Sequence, residues 1–137
     1  MAHAIFVAEA KQRQLPVEVY SAGVFDFRGS PPIRQTTSTC EFNNTPAPEE
    51  IATWVRELPL DSISSFLVME QLHADVLVAE FGVSPARVRL LGNFDPHNRG
   101  QEIDDPFGHS DAVYQKSYEL IRDCIVSYLD GGEALTS

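Results

Sequence analysis

Positive charge is scarce in this sequence: ten Lys and Arg stand against twenty Asp and Glu, a formal net charge of −10. An acidic surface repels nucleic acid and anionic membrane, so neither is an expected partner. It also repels phosphate esters unless a local positive site overcomes the field; as a bulk property the charge serves solubility. Cysteine is scarce too. Cys40 and Cys124 make neither a disulfide framework nor a Cys-x-x-Cys pair. No apolar run is long enough to span a bilayer. The N-terminus, Met-Ala-His-Ala-Ile-Phe turning polar at residues 9–14, lacks the pattern of a secretory signal. A reducing cytoplasm is the expected compartment. His3, His73, His97 and His109 are scattered without ligand spacing, so no metal is expected. Gly29, Gly92 and Gly100 form no dinucleotide fingerprint, and no serine sits in a nucleophile elbow. No cofactor is expected.

What is there fits one domain. The 137 residues can bury a core without staples, and no repeat or linker interrupts them. Residues 1–14, rich in Ala, with Ala4, Ile5 and Ala8 apolar, predict a helix that closes before Pro16 and starts without a capping residue. Residues 17–20 alternate apolar and polar, a short strand ended by Ser21-Ala22-Gly23. Residues 24–48 read as irregular, the polar stretch 36–48 as mobile. Residues 48–58 predict a helix with Ile51, Trp54, Val55 and Leu58 on one face. Residues 65–69 predict a buried strand, 70–81 a helix closed by Gly82, 88–91 a strand and 94–109 a long loop. Residues 111–129 predict the strongest helix, with Val113, Tyr114, Tyr118, Ile121, Ile125 and Leu129 at helical spacing, followed by a tail over 131–137. Strands alternating with helices imply an α/β fold, a parallel sheet flanked by helices.

Several segments resemble the low-molecular-weight protein tyrosine phosphatases. They are Leu90-Leu91-Gly92-Asn93-Phe94-Asp95-Pro96, then Ile103-Asp104-Asp105-Pro106-Phe107-Gly108 before a Tyr-rich helix. Ser21-Ala22-Gly23 after a Val-Glu-Val strand, the Gly29-x-Pro31-Pro32 loop and Val68-Met69-Glu70 match as well. The likeness covers most of residues 1–34 and 60–130; residues 35–58 depart from it. It implies a flavodoxin-like sheet of four parallel strands and two-step phosphoryl transfer. In the family a Cys-x5-Arg-Ser/Thr-Pro loop supplies a thiolate nucleophile and an arginine clamp, and a helix beginning Met-Ala-x-Ala-Ile/Leu-Phe follows. Here Met1-Ala2-His3-Ala4-Ile5-Phe6 is similar to the start of that helix. The central first strand and the loop are therefore expected to be missing. Neither cysteine substitutes: the sixth residue after Cys40 is Pro46 and after Cys124 is Asp130, not arginine.

The resemblance places Asp105 at the family's general acid, which protonates the leaving phenol. By pattern alone Asp105 also reads as an Asp-Pro turn residue. Phe27 and Phe107 match the two walls of the phosphotyrosine slot, and either could instead be core. Ser21 matches a serine near the phosphate loop. The implied substrates are phosphotyrosine proteins or small aryl phosphates. The vacant strand position implies strand rearrangement, filling by residues 35–48, or a homodimer formed by strand exchange. Without nucleophile and phosphate donors, no tyrosine phosphatase activity is expected of the 137 residues as written. An active phosphatase whose coding start lies further upstream and a pseudophosphatase acting as a binding or regulatory module both fit these residues. Arsenate reductase shares the fold and loop but needs redox cysteines late in the chain that Cys124 does not supply.

Overall fold

Alternation along one short strand organises the molecule. The computed structural model describes residues 1–31, 33–45 and 52–131. Strand β1 (Phe66–Val68) pairs in parallel with β2 (Val88–Leu90), Phe66 opposite Val88 and Val68 opposite Leu90. Helix α3 (Gln71–Phe81) is the crossover between them. Phe66 and Val68 point into one core with Val55, Leu77 and Val83. Leu67 and Met69 point the other way, onto Ile5, Leu91, Ile125 and Tyr128. A strand buried on both faces reads as a continuous apolar run, which is why the segment was legible as a strand. The expected α/β architecture with a parallel sheet between helices is present.

Helix α1 (Ala2–Gln12) lies against α4 (Asp111–Asp130). Ala4, Ile5 and Ala10 of α1 are buried, whereas Ala8 is exposed. Ser110 caps α4, accepting the Val113 N–H at 3.4 Å. Seven residues of α4 at helical spacing or beside it (Tyr114, Tyr118, Ile121, Cys124, Ile125, Tyr128, Leu129) form its buried face, while Val113 faces solvent. Arg13 joins the far ends of both helices, its guanidinium on Glu9 at 2.6 Å and on Asp130 at 2.9 Å. Helix α3 ends at Gly82, whose φ of 67° suits a residue without Cβ.

Three expectations from the sequence fail. Residues 34–42 are helix α2 (Arg34–Phe42), not a mobile stretch. Its sequence is polar and Thr-rich, with weak helix propensity. Tertiary contacts hold it: Thr39 and Cys40 are buried against α4. Asn43 and Gln115 exchange two amide hydrogen bonds of 2.7 and 3.0 Å, and the Thr45 and Tyr118 hydroxyls meet. Residues 33–45 therefore sit on α4 and do not fill a gap in the sheet. The helix expected over 48–58 is also absent in its described part. Residues 52–54 are extended and Val55–Glu57 is a single 3-10 turn. Backbone pairing wins there over helical spacing: Gly23 donates to Thr53 O and Val55 donates to Gly23 O, both at 2.9 Å. Residues 48–51 lie outside the described residues.

The third failure is the strand at 17–20. Val17 and Val19 are half-buried while Glu18 and Tyr20 are exposed, the alternation of a pleated strand. Yet no ladder forms among the described residues, and the described strands have not re-paired to close the space. A cavity of about 660 Å³ separates this segment from β1. The space opens to solvent and is lined by both polar and apolar side chains.

Candidate functional site

The Asp105 loop is built from its stem outward. Gly92 is the second residue of the 3-10 turn Leu91–Phe94, and its carbonyl accepts the Gly100 N–H at 3.2 Å. Asp95, though buried, is satisfied: it accepts the His97 N–H at 2.9 Å and the side-chain amide of Gln101. Glu102 accepts the Gln71 N–H at 2.8 Å, satisfying an otherwise orphan donor at the start of α3. Ile103 is buried and donates its N–H to Met69 O at 2.9 Å, tying the loop to the carboxyl end of β1. That end of a parallel sheet is where open α/β folds place their ligands.

Two residues later Asp105 stands exposed. Its Oδ1 accepts the Phe107 N–H at 3.0 Å, and Pro106 O accepts the His109 N–H at 2.9 Å. Gly108 turns the chain with φ 83° into the cap of α4. From α2, Gln35 Nε2 donates to His109 O and to Asp111 Oδ1, both at 3.1 Å. Gln35 lay in the stretch read as irregular, so sequence gave no signal for it. Beneath the loop, Tyr114 is 1 % exposed and its hydroxyl has no hydrogen-bond partner among the described residues. Burial pushes that phenol up, and the negative charge of Asp105 pushes it further.

The other expected residues lie on separate segments. Ser21 pairs with a residue that sequence did not connect to it: His3 Nδ1 and Ser21 Oγ are 2.8 Å apart. The signal was slender, a histidine in the first turn of a helix whose start carries no side-chain cap. Phe27 sits in a tight turn in which Ser30 donates to Phe27 O and Gly29 takes φ 84°. Beside it, Asp26 and Arg28 form a two-pronged ion pair, and Arg28 stacks on the Trp54 ring at 5.0 Å. Phe27 is 67 % exposed and Phe107 65 %, so neither is core. No ring contact joins them among the described residues.

Both thiols are the reverse of nucleophiles. Cys40 and Cys124 are free and fully buried. Burial pushes the Cys40 thiol up, against a smaller pull down from the N-terminal ammonium. Burial and then the charges of Asp95 and Asp123 push the Cys124 thiol up to about 12. At neutral pH both stay protonated. Among the described residues no cluster of His, Cys, Asp or Glu could hold a metal ion, and no helix is long and apolar enough to cross a membrane.

Comparison with known proteins follows the same lines. A Bacillus subtilis (strain 168) protein-arginine-phosphatase is 28% identical over 127 residues, covering 91% of this chain and 82% of that protein. The crystal structure of a low molecular weight protein tyrosine phosphatase from T. tengcongensis superposes with a TM-score of 0.87 at 24% identity, over 95% of this chain and 88% of its own. An arginine phosphatase from Geobacillus stearothermophilus gives a TM-score of 0.80 at 25% identity, over 97% and 83%. The family described as low molecular weight phosphotyrosine protein phosphatase matches residues 1–136. The chain belongs to the low molecular weight phosphotyrosine protein phosphatase family.

Proposed function

We propose that these 137 residues form a phosphatase-family domain that presents the acid-position carboxylate, Asp105, but does not by itself turn over phosphate monoesters or phosphoarginine. The observation that carries this is the state of the thiols. A phosphocysteine path needs an exposed thiolate beside a phosphate clamp. Cys40 and Cys124 are sealed, pushed up, and have Pro46 and Asp130 where the family's arginine would stand. The carboxylate, by contrast, stands exposed on a loop anchored to the end of β1. Phe27 and Phe107 are the proposed walls of the substrate slot, with Ser21 at its inner end. The proposed substrate class is a phosphorylated protein side chain, tyrosine or arginine, since relatives carry both names.

The test is hydrolysis of p-nitrophenyl phosphate near pH 5.5 and of a phosphoarginine peptide near neutral pH. No turnover above buffer is expected for either. Vanadate-sensitive turnover of either substrate would overturn the proposal.

A second function, a phospho-peptide binding module, is favoured by one observation. Two large aromatic side chains, Phe27 and Phe107, are left mostly exposed, and exposed aromatics are characteristic anchors for a partner. Titration with a phosphotyrosine peptide should then show binding that the Phe107→Ala variant loses.

A further inference from the structure

We infer that the cleft at the amino end of the two-stranded sheet, lined by Arg87, is a binding site for a phosphate group, either as the free ion or carried on a ligand. Met69, to which the Asp105 loop is tied, lies at the other end of β1. The inference is therefore independent of any chemistry at Asp105.

Charge gives the first reason. Residues 61–65 lead into β1 and residues 86–87 lead into β2; with Arg89 they enclose about 370 Å³. The chain as a whole carries −10, yet this cleft holds two arginines against one carboxylate, Asp61. Among the described residues no ion pair joins Asp61 to Arg87. A local positive site of this kind is what a phosphate needs to approach an acidic surface.

The setting of Arg87 gives the second. Its guanidinium lies 5.4 Å from the centre of the buried Phe66 ring, and its Nη2 donates to Leu60 O at 2.7 Å. That is its one hydrogen bond among the described residues. Its Nε is shut off from water and has no partner among them. A guanidinium packed on an apolar ring and given a single neutral acceptor is short of counter-charge, and an anion would supply it. The ring and the carbonyl also hold the planar fork in place, so little freedom is lost when it binds.

The neighbours select phosphate over carboxylate. The Ser62 hydroxyl is occupied, donating to Pro59 O at 2.9 Å. The Ser64 and Ser65 hydroxyls border the cleft and make no hydrogen bond among the described residues. Donors thus approach from both strand entries, hydroxyls from one and the arginine fork from the other. A planar carboxylate is satisfied by one fork, whereas a tetrahedral oxyanion keeps lone pairs for the hydroxyls as well. The volume exceeds that of one phosphate ion, which leaves room for the group that carries it.

The experiment titrates the full chain, labelled with ¹⁵N, at neutral pH and constant ionic strength. The probes are inorganic phosphate, acetate and a Gly-phosphoserine-Gly peptide. The Arg87 Nε–H resonance and the amides of Ser64, Ser65 and Ala86 are followed. Phosphate should shift them saturably, in the millimolar range, and acetate should leave them in place. Tighter binding of the peptide than of the ion supports the site and assigns it to a phosphorylated chain. Tighter binding of the ion supports the site and assigns it to free phosphate. Arg87→Lys, which keeps the charge and loses the fork, should weaken binding at least fivefold. Should that variant fail to fold, Ser64→Ala combined with Ser65→Ala should weaken phosphate binding severalfold. Absence of saturable shifts would overturn the inference. So would equal shifts with acetate, which would mean charge screening, or shifts confined to residues 103–110, which would place the anion at the Asp105 end.

Discussion

A Cβ built on Gly92 would lie 1.7 Å from the carbonyl oxygen of Gln101. The two backbones touch because Gly92 O also receives the Gly100 N–H, so the turn after β2 folds directly onto the segment leading to Asp105. Gly92→Ala must push that segment away. The expected cost is about 2–3 kcal/mol, in the range of overpacked cores. Urea unfolding of the variant against the parent measures it.

The two tyrosines of α4 should respond oppositely to loss of their hydroxyls. The Tyr114 hydroxyl is buried without a partner, so Tyr114→Phe removes a desolvated polar group and is expected to be neutral or stabilising by about 1 kcal/mol. The Tyr118 hydroxyl meets Thr45, and Tyr118→Phe leaves that threonine short of a partner, for a loss of about 1 kcal/mol. Thermal melts of the two variants side by side give the sign of each.

Cys124 makes stability fall in alkali. In the folded chain its thiol is raised to about 12, against an ordinary value of 9.0. Below pH 9 both states hold the proton and the group contributes no slope. Above it the unfolded chain releases the proton while the folded chain keeps it, so stability declines as pH rises from about 9 towards 12. One such group sets a ceiling of about 1.4 kcal/mol per pH unit. Urea midpoints between pH 8 and 10.5 should fall, and Cys124→Ala should flatten the decline. Native-state alkylation of either cysteine at pH 8 should be slow.

Gln35 should govern the order of the acid loop. Its amide holds His109 O and Asp111 Oδ1 together. Gln35→Ala should speed amide exchange at Phe107 and His109 severalfold and leave the β1 amides unchanged. A uniform rise across the chain would instead report global destabilisation.

Legibility from sequence tracked how local the causes were. Helix α4 was readable because its buried face repeats at helical spacing and Ser110 marks its start. Strand β1 was readable because burial on both faces gives an uninterrupted apolar run. Asp105 stood out through the Asp-Pro-Phe-Gly pattern, and it stands exposed on the loop that precedes α4. Helix α2 was not, because its stability resides in partners 72 and 73 residues away, Gln115 and Tyr118. The helix expected over 48–58 had the right spacing, but Gly23 competes for its backbone. The His3–Ser21 pair spans 18 residues and carries no local signature. Residues 17–20 show the remaining case: the pleat and the vacant strand position beside it were legible, and that the described strands do not re-pair was not.

The two buried clusters touch opposite sides of β1, and the cavity beside that strand is lined by residues of both. Such a molecule should not melt as one piece. The half built on α3 and the half built on α1, α2 and α4 are expected to unfold as separate cooperative units, with the two-stranded sheet between them. Calorimetry should find a van't Hoff enthalpy below the calorimetric one. A substitution in one cluster should then lower one transition and leave the other where it was.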